Sequence, residues 1–465
     1  MSDTPASVQQ KALRINLDPS RYGTFAEIGA GQEVARCFFR VGGASGTVAK
    51  TSSAYDMAVS DAIYGPAERY VSRQRLVAML DREYSLLVDR LGSTRGADTA
   101  LFVFADTVAT SSFKTKNDGH GWMGIRFQAE PGAAPSDILI HVRMLDKEAE
   151  RQQEVLGVLG VNLVHGTFYS YRQPEALIGE LLDGLTWEHV EVDMIRFSGP
   201  AFTGVDNRLM ALQLVKSGHT EAAMFTADGE TVQWSELLYK KPVLVQRGSY
   251  HPMTNPMLEM LNRAEEQFVR EPGLEGEAPV VLLEMTLRQL RVGDEINYQD
   301  FLDRVDMLSA LGRPVLISNF LRYHRLVSYL SRYTQKPIGL PLGAQRLRDV
   351  LDEKFYTDMP GGILQGVGQM FRRGVKVYVY PSLDANGGVV TVRNLEVAPH
   401  VRHLYAHLVE NHLVEDLTRY TPAFLSTNSG RVLEQIRAGD AGWEAHVPPP
   451  LARVIHEQRL FGCAG

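Results

Sequence analysis

Short apolar runs rich in β-branched residues alternate with amphipathic helical patterns along most of this chain. Uninterrupted apolar strands separated by helices are typical of parallel βαβ units whose sheet is covered on both faces. Apolar residues at three- and four-residue steps predict helices at 256–268, 301–312, 324–333 and 401–413. The alternation predicts an α/β fold, with strands at 101–106, 137–143, 157–164, 192–198, 222–226, 242–247, 280–286, 314–318, 337–340 and 375–380.

Length, charge and hydropathy limit the classes of protein to which this chain can belong. At roughly 150 residues per domain, 465 residues predict about three domains or two large ones. The chain carries 48 basic and 55 acidic residues, a net charge of −7 without a basic block, so we expect no nucleic-acid partner. Its longest apolar run, Val155–Val164, is far shorter than the roughly 20 residues of a membrane helix, so we expect no membrane partner. The start shows no apolar signal segment, and Cys37 and Cys463 cannot make a disulfide framework, which predicts a cytoplasmic protein.

Composition along the chain divides it into three segments. Residues 1–20 are polar, and we expect a mobile N-terminal segment there. Residues 21–240 are predicted to form an N-terminal α/β or α+β domain, because a new strand begins directly after the stretch at 230–241. Residues 241–465 then form a second domain, in which the Glu-, Gly- and Pro-rich stretch at 271–279 is a solvated loop.

Several short segments resemble known binding motifs, but each lacks a residue that its motif requires. Glu27–Glu33 begins like a dinucleotide fingerprint, but Val34 stands where the third glycine belongs. Residues 43–51 end like a P-loop, but alanines occupy both required glycine positions. Three histidines can share one helix face without a carboxylate or cysteine at ligand spacing, so we predict no metal site at His400, His403 and His407.

The segment from Pro242 to Leu258 carries the strongest local signal. A strand runs into Gly248, which permits a tight turn, and Pro252 then fixes the loop before a helix. Thr254 or Asn255 can cap that helix, and a proline suits its first turn. Strand, glycine turn and helix N-terminus together direct backbone N–H groups at whatever lies over the strand end, usually a phosphate.

This segment resembles the first motif of the nicotinate/nicotinamide mononucleotide adenylyltransferases. The matching positions are Gly248, Ser249, Tyr250 (for Phe), Pro252, Thr254 and Leu258. Met257 stands at the second histidine of the motif, which in that family contacts the ATP phosphates. The resemblance implies nucleotide binding by Gly248, Ser249 and Tyr250, and a catalytic role for Thr254. His251 lies in the same loop and is the predicted replacement for the missing donor.

Two further segments resemble that family in the same order along the chain. Residues 342–347 are similar to its Gly-Ala-Asp-x-Leu segment, with Gly343 kept and Gln345 in place of the aspartate. Residues 426–431 are similar to its Ser-Thr-x-x-Arg segment, one residue longer, and a matching Ile-Arg-x-Gly and Val-Pro-Pro tail follows. The resemblance implies that Gly343, Ser426 and Thr427 bind nucleotide and that Arg431 is catalytic.

The resemblance covers about residues 242–465 and implies a doubly wound, Rossmann-like parallel sheet of the nucleotidyltransferase type. It further implies adenylyl transfer with ATP and Mg²⁺ in NAD biosynthesis, and a small nucleotide as partner. The whole chain also resembles a bacterial family of uncharacterised proteins.

Two alternatives stay open. The second domain can be a non-catalytic nucleotide-binding or assembly module, with the N-terminal half forming a homo-oligomer. Eight strand–helix units counted from Gly157 to about 415 can instead form a (βα)₈ barrel. The barrel would bring four side chains to its rim: Asp228, Arg247, Glu284 and Asn319. An open sheet with Gly248 at its switch point distinguishes the first two interpretations from the barrel.

Overall fold

The computed structural model describes residues 6–111, 119–274, 276–372 and 374–463. The chain divides into two compact units, Met1–Ala223 and Met224–Gly465. The division falls inside a strand at 222–225, upstream of the boundary that the sequence suggested at 230–241. Among the helices in the described ranges, none is both long and apolar enough to cross a membrane.

The first unit is an α/β unit with a mixed sheet. Its strands are β1 (Arg21–Ile28), β2 (Val48–Ser52), β3 (Ala100–Ala109), β4 (Gly119–Phe127), β5 (Ser136–Met144) and β6 (Val190–Ser198). Its helices are α1 (Val8–Asn16), α2 (Glu33–Arg40), α3 (Met57–Tyr64), α4 (Arg73–Arg95), α5 (Ala149–Tyr169), α6 (Pro174–Glu180) and α7 (Asn207–Lys216). The strand order is β2-β1-β3-β4-β5-β6, parallel between β1 and its two neighbours and antiparallel from β3 onward.

Helices cover both faces of this sheet because alternate strand residues point to opposite sides. Phe102 and Phe104 of β3 join a core with α1, α2 and α5, whereas Leu101 and Val103 pack with α4. Local caps set where helices begin; the Ser72 hydroxyl, for example, accepts a hydrogen bond from the Arg75 N–H at the start of α4. The unit is therefore a three-layer α/β/α arrangement.

Two expectations for this unit were wrong. The run at 157–164 is not a strand but the centre of α5, buried on nearly all sides. A Cβ on Gly160 would lie 2.3 Å from Val34 of α2, so the glycine allows two helices to pack closely. Residues 8–16, expected to be mobile, form α1 and bury Ala12 and Ile15 completely.

Two carboxyl groups lie side by side inside the first unit. Glu27 of β1 and Asp106 of β3 are register partners, and both are almost fully buried. Glu27 accepts hydrogen bonds from the N–H groups of Val34 and Ala35, at 3.0 and 2.9 Å, in the first turn of α2. Burial raises the pKa of Glu27 to about 7, and burial together with the Glu27 charge raises the pKa of Asp106. Glu27 therefore takes up a proton near neutral pH.

The second unit contains the segment that the sequence singled out. Its strands are β7 (Ala222–Phe225), β8 (Thr231–Val232), β9 (Val243–Arg247), β10 (Val280–Thr286), β11 (Arg291–Val292), β12 (Glu295–Ile296), β13 (Val315–Ser318), β14 (Ile338–Gly343), β15 (Val375–Tyr380), β16 (Ser382–Leu383), β17 (Val389–Val390) and β18 (Val414–Asp416). Its helices are α8 (Trp234–Leu238), α9 (Asn255–Phe268), α10 (Leu287–Leu290), α11 (Tyr298–Ser309), α12 (Tyr323–Leu330), α13 (Ala344–Val350), α14 (Gly362–Met370), α15 (Arg402–Glu410), α16 (Ser429–Ala438) and α17 (Pro449–Gln458).

The main sheet of this unit is doubly wound. Its strand order is β18-β15-β14-β9-β10-β13-β7-β8, and the pairs from β18 through β13 are parallel. From β13 to β18 the order reads 3-2-1-4-5-6 in chain sequence, so the direction of winding reverses between β9 and β14. Within the described ranges the sheet is open, with β18 and β8 at its edges, and the barrel alternative is not observed. The predicted doubly wound α/β fold is confirmed.

Candidate functional site

The glycine turn predicted after β9 lies at this switch point. The N–H of Gly248 donates to the carbonyl of Glu284 at 3.0 Å, which continues the ladder with β10 by one residue. A Cβ on Gly248 would lie 2.7 Å from the ring of Tyr250, so a larger residue would displace that ring. Tyr250 itself is fully buried, takes a φ of 50°, and donates its hydroxyl to the Gln246 carbonyl at 2.7 Å. Gly248 and Tyr250 therefore fix one compact turn.

Two hydroxyl groups of this loop remain available to a ligand. Thr254 is the N-cap residue of α9 and is only 2 % exposed, yet its side chain makes no capping hydrogen bond. Ser249 is half-buried, and within the described part of the chain its hydroxyl likewise has no hydrogen-bond partner. Both groups lie between the end of β9 and the start of α9, where an anion is favoured by the helix dipole.

His251 lies in the same loop but has its ring occupied. Its Nδ1 accepts a hydrogen bond from Arg304 Nη2 at 3.0 Å, and its Nε2 lies 2.6 Å from Asp300 Oδ1. Both neighbours are on α11. The predicted use of His251 as a substitute phosphate donor therefore requires it to leave these partners.

Met257 is the third residue of α9 and is half-buried. Its carbonyl accepts a hydrogen bond from Gln246 Nε2 at 2.8 Å, which ties the first turn of α9 to β9. The thioether offers no N–H, so this position supplies no side-chain donor to a phosphate.

Gly343 ends β14, the strand beside β9 across the switch point. β9 and β14 are in register at only two positions, Val243 with Ile338 and Leu244 with Gly339. By contrast, β14 and β15 pair along six positions, as far as Gly343 with Tyr380. The strands β9 and β14 therefore separate toward their carboxyl ends, and open space adjoins Gly343, where an added Cβ would meet no atom within 4 Å. Ligands of open α/β sheets bind in such crevices.

The third predicted segment lines a cavity of about 500 Å³. Its lining includes Ser426, Thr427, Arg431 and His446, so the structure brings the predicted residues of this segment together. Asn255 in the first turn of α9 donates to the carbonyl of Ala445 at 2.9 Å, which places the cavity beside the start of that helix. A cavity of this size is within the range of small-molecule sites.

The position of Gln345 differs from what the resemblance implies for an aspartate that serves the substrate. Gln345 is exposed on α13 and contacts Arg348 at 3.3 Å. No metal-ligating set compensates for this: within the described ranges, no group of three or more His, Cys, Asp or Glu side chains can hold a metal ion.

A buried charged network adjoins the turn on the other side of β9. Arg247 forms a bidentate ion pair with Glu284 of β10, which also accepts a hydrogen bond from Ser318 of β13 at 2.6 Å. The Arg247 guanidinium lies over the ring of Tyr323, 4.5 Å from its centroid. Of the residues that the barrel interpretation grouped, Arg247 and Glu284 do meet, at the carboxyl ends of two central strands of an open sheet.

Asp300 and Arg304 were missed in the sequence. Their spacing of four residues on a predicted helix is typical of a surface ion pair. Here the two side chains instead contact a loop about fifty residues upstream. No local sequence signal distinguishes such a pair from a surface ion pair.

No protein-family model matches the chain, and no curated protein matches it. Solved structures that are similar to part of this chain include the competence/damage-inducible protein CihA from Agrobacterium tumefaciens, 18 % identical over 35 % of this chain and 97 % of that one, with a TM-score of 0.25. A CinA-superfamily protein from Enterobacter cloacae is 11 % identical over 36 % and 96 %, with a TM-score of 0.26. The Plasmodium falciparum nicotinic acid mononucleotide adenylyltransferase complexed with APC is 10 % identical over 48 % and 98 %, with a TM-score of 0.29. Similarity at this level supports no statement about activity.

Proposed function

We propose that the second unit binds a nucleotide through its phosphate at the loop from Gly248 to Asn255. The observation that carries this proposal is the pair of free hydroxyl groups, Ser249 and Thr254, at the switch point of an open doubly wound sheet. A phosphate oxygen would accept a hydrogen bond from each of these two hydroxyls, and hydrogen bonds to a charged acceptor are the stronger kind. The separation of β9 from β14 gives the nucleoside a place to lie beside Gly343.

The proposed ligand class is that of the adenylyltransferases which the sequence resembles: ATP and a pyridine mononucleotide. In such a transfer the mononucleotide phosphate oxygen attacks the α-phosphorus, the bond to the β-phosphate oxygen breaks, and pyrophosphate leaves. Arg431 in the adjoining cavity carries a guanidinium that can pair with a phosphate. Mg²⁺, when carried by the phosphates, would neutralise part of their charge. Thr254 and Ser249 orient the phosphate in this scheme.

A specific observation favours a second candidate, a nucleotide-binding module without transfer. Met257 offers no donor, and His251 is held by Arg304 and Asp300. In other enzymes, removing one hydrogen-bond donor that stabilises developing negative charge lowers the rate by about 10²–10³-fold. In this proposal the unit binds nucleotide and the whole chain works as a homo-oligomeric assembly in the cytoplasm.

Calorimetric titration of the full chain with ATP, NMN, nicotinate mononucleotide and NAD, with and without Mg²⁺, tests the binding proposal. Thr254→Val combined with Ser249→Ala should weaken the affinity for the bound nucleotide by about 10- to 100-fold, which corresponds to about 1.4–2.8 kcal/mol. Thr357→Val, at an exposed position, is the matched control and should leave the affinity unchanged. A folded double variant that binds nucleotide as tightly as the unmodified protein would show that the phosphate does not bind at this loop.

A further inference from the structure

Arg304 of α11 is the point at which the 249–251 segment of the loop is attached to the body of the unit. Its Nη1 donates to the carbonyl of Ser249 at 2.9 Å and to the carbonyl of Gln289 at 3.0 Å. Its Nη2 donates to Nδ1 of His251 and to the carboxylate of Asp300. One guanidinium therefore holds the backbone carbonyl of Ser249 and the side chain of His251, two residues later.

The surroundings of this contact are nearly closed to solvent. The Arg304 side chain is 3 % exposed and the Asp300 side chain 10 % exposed. Burial opposes the ionisation of Asp300, but the close approach of the His251 ring and the charge of Arg304 hold its pKa below the ordinary value. Asp300 is therefore a carboxylate at neutral pH, and its negative charge balances the guanidinium.

The remaining neighbours come from the end of the chain. The N–H of Phe461, in the 3₁₀ turn Leu460–Gly462, donates to Asp303 of α11 at 2.7 Å. The ring of Phe461 lies 5.5 Å from the His251 ring, measured between centroids. Asp303 also accepts a hydrogen bond from Gln299 at 2.8 Å, so its carboxylate is already engaged. The groups that face His251 are thus Arg304, Asp300 and the Phe461 ring.

These contacts determine where the ring proton of His251 is. Arg304 can only donate, so Nδ1 must be the unprotonated nitrogen. The proton is then on Nε2, which lies 2.6 Å from Asp300 Oδ1 but is not aligned for a hydrogen bond to that oxygen. A His251 ring turned to face a phosphate would leave both a buried guanidinium N–H and a buried carboxylate without this partner.

We infer that Arg304 is a positioning residue of the nucleotide site: it fixes Ser249 through the backbone carbonyl and keeps His251 as the Nε2–H tautomer against Asp300, out of reach of the phosphate. The inference rests on the proposed function for its effect on affinity, but not for its effect on the loop. Ser249 then presents its hydroxyl in one orientation, and His251 serves the loop and does not contact the ligand.

Arg304→Met is the direct test, because methionine keeps much of the side-chain volume and makes none of the four hydrogen bonds. We expect hydrogen exchange in peptides covering 248–254 to speed up by at least about tenfold, and ¹⁵N spectra of histidine to lose the Nε2–H tautomer assigned to His251. Nucleotide affinity should fall by about 10-fold or more. Arg304→Lys keeps the charge but cannot reach all four acceptors, so it should restore only part of each effect. Arg313→Met removes an arginine that pairs with Glu265 elsewhere in the unit and is the matched control.

The spectroscopic arm separates failure of this inference from failure of the proposed function. An Nδ1–H tautomer in the unmodified protein, or unchanged exchange at 248–254 in folded Arg304→Met, overturns the inference whatever the protein binds. If Arg304→Met unfolds the chain, His251→Gln provides the second measurement: affinity should fall by less than about threefold, because His251 does not touch the phosphate. A loss of 100-fold in His251→Gln would make His251 a ligand contact and overturn the inference.

Discussion

Arg247 and Glu284 form a bidentate ion pair across the ends of β9 and β10, with both N–O distances at 2.8 Å and the Glu284 side chain fully buried. Glu284 is also the residue whose carbonyl receives the Gly248 N–H. The charged pair and the glycine turn are therefore one structural unit, and the turn depends on a pair of charges that is nearly buried.

Removing one member of this pair should destabilise the second unit. Arg247→Met leaves an uncompensated buried carboxylate, for which the free energy of unfolding is expected to fall by about 3–5 kcal/mol. The double variant Arg247→Met/Glu284→Leu should recover most of that loss. Urea unfolding of all three proteins measures the effect. Arg263→Met, which removes one member of an exposed pair with Glu266, should cost less than about 1 kcal/mol; an equal cost for both single variants would contradict the prediction.

Gly248→Val should damage both stability and nucleotide binding. The added side chain collides with the ring of Tyr250, which is fully buried, and overpacking of this kind costs about 1–3 kcal/mol. Calorimetric titration should show loss of nucleotide binding in the variant that still folds. Gly343→Ala is the control for stability alone, because its Cβ enters open space and should leave the melting temperature unchanged. Unaltered ATP affinity in folded Gly248→Val would show that the ligand lies elsewhere.

Met257→His adds a donor in the first turn of α9. We expect tighter ATP binding without NAD synthesis from NMN and ATP, because Gln345 and the longer segment before Arg431 leave the second substrate out of place. Displacements of about 1 Å can cost about 10²-fold in rate. Pyrophosphate release is the measurement. Robust release by the unmodified protein, abolished by Arg431→Ala, would establish transfer and overturn this expectation.

The first unit should lose stability as the pH rises from about 4.5 to about 7. The pKa of Glu27 is near 7 in the folded chain and near its ordinary 4.5 in the unfolded chain, so the folded state binds more protons between these values. Stability from this group is complete below about pH 4.5 and is lost by about pH 7, with a slope of at most about 1.4 kcal/mol per pH unit. Thermal unfolding from pH 5 to 8 should show a shallower slope for Glu27→Gln. Exposed Glu68→Gln is the control; a slope identical in both variants would exclude Glu27 as its source.

Much of the second unit could be read from local sequence. The strands predicted at 280–286 and 375–380 coincide with β10 and β15, and the one at 242–247 differs from β9 by one residue. Parallel strands covered on both faces are apolar along their whole length, which makes them visible without knowledge of their neighbours. The helix that follows Gly248 was also predicted from residues close in sequence, namely a candidate N-cap residue and a proline in its first turn.

The sequence-based predictions were wrong where contacts with residues distant in the sequence determine the local structure. The apolar run at 157–164 fits a buried strand or a buried helix equally well, and contact of Gly160 with Val34 determines the outcome. Likewise, the sequence offered His251 as a free donor because nothing nearby in the chain occupies it. Its partners, Asp300 and Arg304, come from a helix about fifty residues later. Site chemistry of this kind depends on tertiary contacts that periodicity does not encode.

The short ladder between β9 and β14 has a consequence for how the second unit opens. Two register pairs join the strands at the centre of the sheet, whereas each flank is held by longer ladders. Protection of backbone amides from exchange follows the hydrogen bonds that must break, so we expect amides in the carboxyl halves of β9 and β14 that face the gap between these strands to exchange faster than those that face β10 and β15. A ligand that contacts both strand ends would supply interactions between β9 and β14 that the backbone itself does not provide, and it would slow exchange there.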